Sequence, residues 1–488
     1  MLNKLADLLL KQSDWKLTFN QRTYTAEDVN LLVCDLISQI NMNAIDRDGY
    51  LIAVGFNSFE YIIYMMLASV LGLRLILCDP KMLNTLLDHY QLSYSGVIAS
   101  RKIHTKSCAL IKINWDKHDL PHNNAFTSSE NQAELIFFTS GTTNIPKLVV
   151  YKEKTLLENA KVVGSYLGVK PANKALCLFP THYMYGLSTV LSTICYSGEV
   201  ILERSTITAQ EIWSYLVNDR IHFLPLIRTL IEKLQPLIDS EKRYFGELTI
   251  LNASDRIYQR HVKSVLQICP VFRNNFGQTE SGPRIFSLKI DASNVDDPAC
   301  YSCSEVVALG TPVDPNIQLS ILNEDIEERD SPTIGELNYQ TPFAMEGYLD
   351  FHGQLIQKSW INSGDLVYRN ERGRICWVGR ETETIKIDGK YTNMGLLHRY
   401  FDAIDGVKKS YFTYDEKIGL SGFFIRDRRF TDTEIENKII SLYKDRFPTY
   451  PRIKQLQSVN EIPTTISGKV KYSTLVSRLT KSMVLQYA

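Results

Sequence analysis

Four short segments carry residue types that can act on phosphate. The first is Phe138-Thr139-Ser140-Gly141-Thr142-Thr143-Asn144-Ile145-Pro146-Lys147. The apolar run Leu135 to Phe138 feeds a loop dense in hydroxyls and small residues, which ends in Pro-Lys. Such a loop turns backbone N–H groups and hydroxyls toward an anion, and the lysine adds a charge for phosphate. It is not a P-loop, because G-x-x-x-x-G-K-[ST] occurs nowhere in the chain. The second segment is Asn275-Phe276-Gly277-Gln278-Thr279-Glu280. Its ring can stack on a flat base, its glycine permits close approach, and its carboxylate can offer Mg²⁺ the hard oxygens that ion prefers. The third is Ser363-Gly364-Asp365-Leu366, followed 15 residues after Asp365 by Gly379-Arg380. An aspartate after a tight turn can accept from a ribose diol, and a nearby arginine adds a hydrogen bond or offsets phosphate charge. The fourth is Pro463-Thr464-Thr465-Ile466-Ser467-Gly468-Lys469, where Gly468 allows a tight loop from which Lys469 projects. Taken singly, each segment also fits an ordinary solvated turn.

The elements that must position these segments alternate. Leu51 to Gly55 reads as a buried strand, Ser58 to Leu71 as a helix and Leu73 to Cys78 as a strand again. Further strands are expected at Leu135–Phe138, Lys174–Phe179, Glu199–Leu202, Phe223–Leu224, Leu248–Leu251 and Val271–Asn274, with helices at Ala209–Val217 and around Tyr258–Gln267. Strand–helix alternation implies an α/β architecture, a doubly wound and mostly parallel sheet with helices on both faces. After about Leu309 the pattern changes. Ile317–Leu322, Gly335–Gln340, Asp365–Arg369 and Arg374–Val378 read as strands joined by turns, a small β-barrel-like unit. About 108 residues of mixed strand and helix follow Gly379-Arg380. The expected division is therefore a large N-terminal domain over 1–380 and a small α+β C-terminal domain over 381–488, joined by a hinge near Arg380 to Glu383. No internal repeat or low-complexity linker interrupts this order.

Composition agrees with that plan. A chain of 488 residues accommodates about two to four domains. Lys plus Arg and Asp plus Glu are both 54, which argues against a broad basic surface for nucleic acid or membrane. The hydrophobic share of 44% with 22% charged residues is that of a globular chain able to bury a large core. Nine scattered cysteines and an N-terminus without a signal-like apolar stretch point to a reducing, cytoplasmic setting. The apolar run Tyr61 to Cys78 is broken by Gly72 and Arg74 and ends at Asp79-Pro80, so it reads as a buried helix and strand rather than a membrane span.

Taken together, the order and spacing of the segments resemble the adenylate-forming (AMP-binding) superfamily, which includes acyl- and aryl-CoA synthetases, luciferases and peptide-synthetase adenylation domains. Further matches extend the resemblance over nearly the whole chain: Gly72 with Asp79-Pro80, Gly335-Glu336-Leu337 with Gly347-Tyr348, and Gly379-Arg380-x-x-Glu383-x-Ile385-Lys386-x-x-Gly389. The resemblance implies a two-step reaction. A carboxylate attacks the α-phosphate of ATP to give an acyl-adenylate and pyrophosphate, and a thiol then displaces AMP. It implies that Thr139, Ser140, Gly141, Thr142, Thr143 and Lys147 cradle pyrophosphate and that Phe276 packs on adenine beside Ala253, Ser254, Asn275 and Gly277. It further implies that Thr279 contacts the α-phosphate, that Glu280 with Thr142 holds Mg²⁺, and that Asp365 with Arg380 binds the ribose. Lys469 would bridge the reacting carboxylate and the α-phosphate, where a positioned ammonium stabilises developing negative charge. Rotation of the small domain would then withdraw it and open a path for the thiol.

Several positions depart from the family pattern. Asn144 replaces a usual glycine, although Asn tolerates the left-handed backbone. Asn252-Ala253-Ser254 stands where small Gly/Ala residues are typical. Thr382 replaces the hinge Asp or Lys, and Thr392 to His398 lacks the two glutamates usual after the hinge. These changes bear on thioester formation more than on adenylation.

Pro180-Thr181-His182-Tyr183-Met184-Tyr185-Gly186-Leu187 resembles the acyl-pocket segment, with Tyr183 at the usual His position. The pocket implied by the resemblance draws on His182, Tyr183, Gly186, Gly277 and Ser281. No acidic residue lies between Lys174 and Gly198 to pair with a substrate ammonium, which disfavours α-amino acids. A Tyr- and Met-lined mouth suits an apolar or aromatic acid. The expected function is ATP-dependent activation of a small carboxylic acid and its transfer to coenzyme A or to the phosphopantetheine of a carrier protein acting in trans. The alternatives are an amino-acid adenylating ligase and a nucleotide-binding member that has lost turnover. The lone Cys300-x-x-Cys303 is weak grounds for a metal site, and His118 and His122 read as loop residues.

Overall fold

In the computed structural model, described residues are 4–10, 14–40, 45–103, 108–113, 129–139, 145–204, 206–253, 256–302, 305–323, 334–387, 390–415, 418–447 and 450–463. The long apolar run is a core helix and strand, as expected. Ser58–Leu71 is helical. Asn57 opens it by accepting from the Glu60 N–H at 2.9 Å, and Gly72 closes it in the left-handed region at φ +67°. Phe59 through Val70 are all buried, so the helix is apolar on every side because the core surrounds it. Among the described residues no helix is long and apolar enough to cross a membrane.

That helix packs beside an eight-stranded sheet. In spatial order its strands are Leu355–Ile356, Gly347–Leu349, Leu148–Lys152, Glu134–Phe138, Arg74–Cys78, Tyr50–Val54, Tyr94–Ala99 and Leu110–Lys112. The last five run parallel, whereas Leu148–Lys152 and the strands beyond it run antiparallel to their neighbours. A nine-stranded sheet has the order Thr311–Pro312, Gly282–Ile290, Val271–Gln278, Thr249–Asn252, Phe223–Leu226, Lys174–Cys177, Glu199–Leu202, Lys16–Phe19 and Arg22–Thr25. Its six central strands are parallel, and the helices Ala209–Asn218, Arg228–Glu241 and Gln259–Val265 lie between them in sequence. One large core joins Ser58–Leu71 and Met184–Ile194 to side chains from both sheets. The expected α/β class, with doubly wound and mostly parallel sheets, is the one observed.

Two compact units divide the chain, each assembled from separate stretches. One comprises Met1–Asp296, Leu309–Gln318 and Tyr339–Ile361, and the other Asp297–Ala308, Leu319–Asn338 and Asn362–Ala488. Arg380 therefore lies inside the second unit and does not mark the division between them. The reason is sheet pairing. The strands Gln318–Asn323, Gly335–Gln340, Ile361–Arg369 and Ile375–Arg380, read from sequence as a small barrel of the N-terminal domain, form a four-stranded sheet that belongs mainly to the second unit. That unit also holds the hairpin Thr384–Ile387/Lys390–Asn393 and the three-stranded sheet Val407–Asp415, Gly419–Arg426 and Gln455–Ser458, with the helices Met394–Asp402 and Asp432–Arg446.

Candidate active site

The hydroxyl-rich loop hangs from a hairpin. Glu134–Phe138 and Leu148–Lys152 pair antiparallel with Phe138 opposite Leu148, and the Thr139 N–H donates to the Lys147 carbonyl at 3.0 Å. Thr139 is buried and Lys147 leaves the neck of the loop. Ser140, Gly141, Thr142 and Thr143 lie outside the described residues. The Lys147 ammonium stands 5.0 Å from the centroid of the Tyr348 ring, and the Tyr348 hydroxyl donates to Glu280 Oε1 at 3.0 Å. A cation, an aromatic face and a carboxylate are thus linked in one set. Burial and the Glu280 carboxylate push the Tyr348 hydroxyl well above the usual phenol range, so it remains the donor. Glu280 Oε2 makes no hydrogen bond among the described residues, which leaves a hard oxygen of the kind Mg²⁺ takes.

Glu280 and the half-buried Thr279 lie on the turn between Val271–Gln278 and Gly282–Ile290. Asn275-Phe276-Gly277-Gln278, read from sequence as a turn after a strand, is the end of that strand. The register slips between Phe276 and Gln278, which makes a bulge. Gly277 is required there, because a Cβ would run into the Pro283 backbone. Phe276 is half-buried and meets Phe286 nearly edge-on at 5.8 Å. Asn275 is buried. Its amide donates to the Asn252 carbonyl at 3.2 Å and its oxygen accepts from the Tyr166 hydroxyl at 2.7 Å. Ala253 is buried just past Thr249–Asn252, and Ser254 lies outside the described residues.

Of the residues expected around the acyl group, His182 lines a cavity that Tyr183, Gly186, Gly277 and Ser281 do not line. This cavity, of 730 Å³, opens at the carboxyl ends of the parallel strands Lys16–Phe19, Tyr50–Val54, Arg74–Cys78 and Glu199–Leu202, where α/β sheets commonly bind ligands. His182 lines it with Phe19, Phe56, Tyr61, Asp79 and Tyr215. His182 is 9% exposed, both of its ring nitrogens lack a hydrogen-bond partner among the described residues, and its Nε2 lies 3.8 Å from Asp79 Oδ2. Burial pushes its pKa down to about 4 against the opposing pull of Asp79, so the ring is neutral near pH 7 and the approach is not an ion pair. Tyr183 is 49% exposed and outside the cavity wall. Gly186 serves packing, since a Cβ there would strike the Phe179 and Pro180 carbonyls beneath the Met184–Ile194 helix. Ser281 is fully buried, and its hydroxyl accepts from the Gln278 N–H at 3.0 Å and lies 3.1 Å from the Gly282 carbonyl.

Within the second unit, Asp365 sits in the middle of the Ile361–Arg369 strand and not after a turn. The spacing of 15 residues to Arg380 is a cross-strand register, with the two directly opposite. Gly364, at φ +66°, supplies the left-handed backbone just before it. Asp365 is 1% exposed. Its Oδ1 accepts from Trp377 Nε1 at 2.8 Å and lies 3.0 Å from Arg380 Nε. Arg380 also donates from Nη1 to the Ser363 carbonyl at 2.8 Å. Burial pushes the carboxyl up to about 6, with Arg380 and Trp377 opposing and Glu383 adding to the rise. Sequence reasoning missed Trp377, Tyr166 and the link from Tyr348 to Glu280. Tyr348 was legible as a motif position, but its hydroxyl's partner was not. Lys469 lies outside the described residues, as do Cys303, His118 and His122. Among the described residues no three His, Cys, Asp or Glu side chains gather as metal ligands.

The 2-succinylbenzoate–CoA ligase of Oceanobacillus iheyensis is 22% identical over 443 residues, 87% of this chain and 88% of that protein. The fold is similar to o-succinylbenzoate CoA synthetase of Bacillus subtilis in complex with its acyl-adenylate intermediate, with a TM-score of 0.76 and 15% identity over 100% of this chain and 99% of that one. Klebsiella oxytoca NpsA, in complex with 3-hydroxyanthranilyl-AMSN, gives the same TM-score of 0.76 at 15% identity, over 98% and 100% of the two chains. The sequence profile of the AMP-binding enzymes matches residues 14–349, the stretch that holds the hydroxyl-rich loop, the Asn275–Glu280 motif and Tyr348. With more than half of its length matched, the chain belongs to the AMP-binding enzyme family.

Proposed function

We propose that this protein is an AMP-forming acid–thiol ligase. A carboxylate oxygen of the acid attacks the α-phosphorus of ATP, the bond to the β-phosphate oxygen breaks, and pyrophosphate leaves. A thiol sulfur then attacks the acyl carbonyl and AMP departs. The observation that carries this reading is the linked set of Lys147, Tyr348 and Glu280 at the neck of the hydroxyl-rich loop, in a chain of the AMP-binding family.

Each residue has a role in that reaction. Thr139 to Thr143 and Lys147 take the pyrophosphate, Lys147 as its counter-charge. Tyr348 holds Glu280 in one orientation. Phe276 packs on adenine at the bulge that Gly277 makes possible, and Thr279 donates to the α-phosphate. Asp365, oriented by Trp377 and Arg380, accepts from the ribose hydroxyls. Lys469 supplies the ammonium that stabilises charge on the attacking carboxylate and the α-phosphate. Mg²⁺, which Glu280 and Thr142 would hold, offsets phosphate charge when bound.

The acceptor in this reading is coenzyme A, with carrier-protein phosphopantetheine as the variant. CoA-ligase names among the relatives support the first. A cytoplasmic setting, with ATP at hand and thiols reduced, accords with it. Acid-dependent exchange of pyrophosphate into ATP, run over fatty, aryl, hydroxy and amino acids, tests the first step. Exchange with one acid class supports the reading, and ATP binding without exchange for any acid refutes it.

A further inference from the structure

The turn that carries Thr279 and Glu280 is gripped by one stretch of chain distant in sequence. Among the described residues, 339–348, which share the first compact unit with the turn, meet it at four places. The Tyr339 hydroxyl donates to Gln278 Oε1 at 2.7 Å, 61 residues away along the chain. Gly282 packs so closely on Phe343 that a Cβ on it would stand 2.9 Å from the Phe343 Cβ. The Met345 N–H donates to the Glu280 carbonyl at 3.0 Å, and the Tyr348 hydroxyl donates to Glu280 Oε1 at 3.0 Å. Within the turn, the Ser281 hydroxyl accepts from the Gln278 N–H at 3.0 Å.

Tyr339 is the contact whose purpose the site described so far does not explain. It is fully buried on the strand Gly335–Gln340. A buried phenol hydroxyl carries a desolvation cost that a hydrogen bond must offset, and a phenylalanine would fill the same space without that cost. The hydroxyl is explained by what it holds. Gln278 ends the strand Val271–Gln278, directly before Thr279, and faces Gly282 across the turn. The ladder is irregular just before it, between Phe276 and Gln278, so backbone pairing alone constrains the turn weakly there. A side-chain anchor at Gln278 supplies the missing constraint. Thr279 itself is half-buried, and its hydroxyl has no hydrogen bond to a described residue, which leaves it available to a phosphate oxygen.

We propose that Tyr339 is a positioning residue for adenylation: through Gln278 it fixes the turn so that Thr279 meets the α-phosphate and Glu280 meets Mg²⁺. This rests on the adenylating function proposed above and on the roles given there to Thr279 and Glu280. Tyr339 acts through Gln278 and not on the substrates. Placement of a donor matters most where charge develops in the transition state, so losing the anchor lowers kcat more than it weakens ATP binding.

The test uses the full chain as wild type, Tyr339→Phe, Gln278→Met and the double variant. Acid-dependent pyrophosphate exchange gives kcat and KM for ATP, with a Mg²⁺ titration and thermal melting alongside. In each single variant kcat should fall roughly 10-fold, the cost of a buried hydrogen bond left unmade, while KM for ATP stays within about threefold. The Mg²⁺ concentration for half-maximal exchange should rise severalfold. The double variant should match the poorer single variant within about twofold, because both substitutions remove the same bond. Effects on kcat that multiply in the double variant overturn the inference and leave adenylation intact. So does a lowered melting temperature with kcat, measured well below it, at the wild-type value, which would make Tyr339 a packing residue. Should Tyr339→Phe fail to fold, Gln278→Met decides: a lower kcat at unchanged KM upholds the anchor, and a wild-type kcat overturns it. If no acid supports exchange, the adenylating function fails. Calorimetric titration of ATP at a series of Mg²⁺ concentrations then decides the positioning of Glu280, because a higher Mg²⁺ requirement in Tyr339→Phe upholds it and identical curves overturn it.

Discussion

Replacing Asp365 by Asn separates two properties that its carboxylate combines. The change keeps the shape and removes the charge. In the fold the carboxyl is pushed up to about 6 by burial, against an ordinary 3.8. At about 1.4 kcal/mol per pH unit, the difference between about 6 and 3.8 is worth about 3 kcal/mol. The sign follows from proton uptake. Between pH 4 and 6 the folded chain holds a proton that the unfolded chain has lost, so this stabilisation is full below about pH 4 and is lost as pH rises through about 6. Asn does not titrate. The stability of the wild type relative to Asp365→Asn should therefore fall by about 3 kcal/mol from pH 4 to pH 7. Urea denaturation of both proteins at half-unit pH steps measures this. At pH 7.5 the variant should bind ATP roughly 10- to 100-fold more weakly by calorimetry, the cost of replacing a charged acceptor by a neutral one. Stability curves that stay parallel across the window refute the buried, charge-strained carboxylate. Unchanged ATP affinity refutes its role at the ribose.

Two further substitutions probe the other unit. Tyr348→Phe removes the donor to Glu280 Oε1, so a higher Mg²⁺ concentration for half-maximal exchange and a roughly 10-fold lower rate are expected. An unaltered Mg²⁺ titration would show that Glu280 needs no positioning. His182→Gln should lessen sensitivity to acid. The folded ring protonates only near 4, so as pH falls from 6.5 to 4 the wild type loses up to about 3 kcal/mol that the variant does not. Equal acid denaturation profiles would mean that His182 is solvated.

Local signals made most of the fold legible. Ser58–Leu71 is bounded by Asn57 and Gly72, residues whose cap chemistry is visible in the sequence. Glu199–Leu202 and Gly335–Gln340 also fall where turn residues and apolar runs place them. The chemistry of the site was legible as residue types, but its geometry was not, because that depends on register. Asp365 reads as the first residue of a strand after a turn and Arg380 as the start of a hinge, and only the antiparallel pairing of Ile361–Arg369 with Ile375–Arg380 sets them opposite each other. Asn275 to Gln278 likewise reads as a turn because a bulge at Gly277 has no local signature beyond the glycine itself. Gly186 and Ser281 occupy motif positions, yet their surroundings are taken up by packing and turn formation, which only long-range contacts reveal.

The most direct test of the central claim is acid-dependent exchange of pyrophosphate into ATP by the wild type and by Lys469→Ala. Exchange should require one class of carboxylic acid. It should fall roughly 100- to 1000-fold in the variant, the cost of losing a positioned charge at the reacting oxygens, while ATP affinity changes by no more than about threefold. Exchange by Lys469→Ala at the wild-type rate, or ATP binding by the wild type with no exchange for any acid, would contradict it.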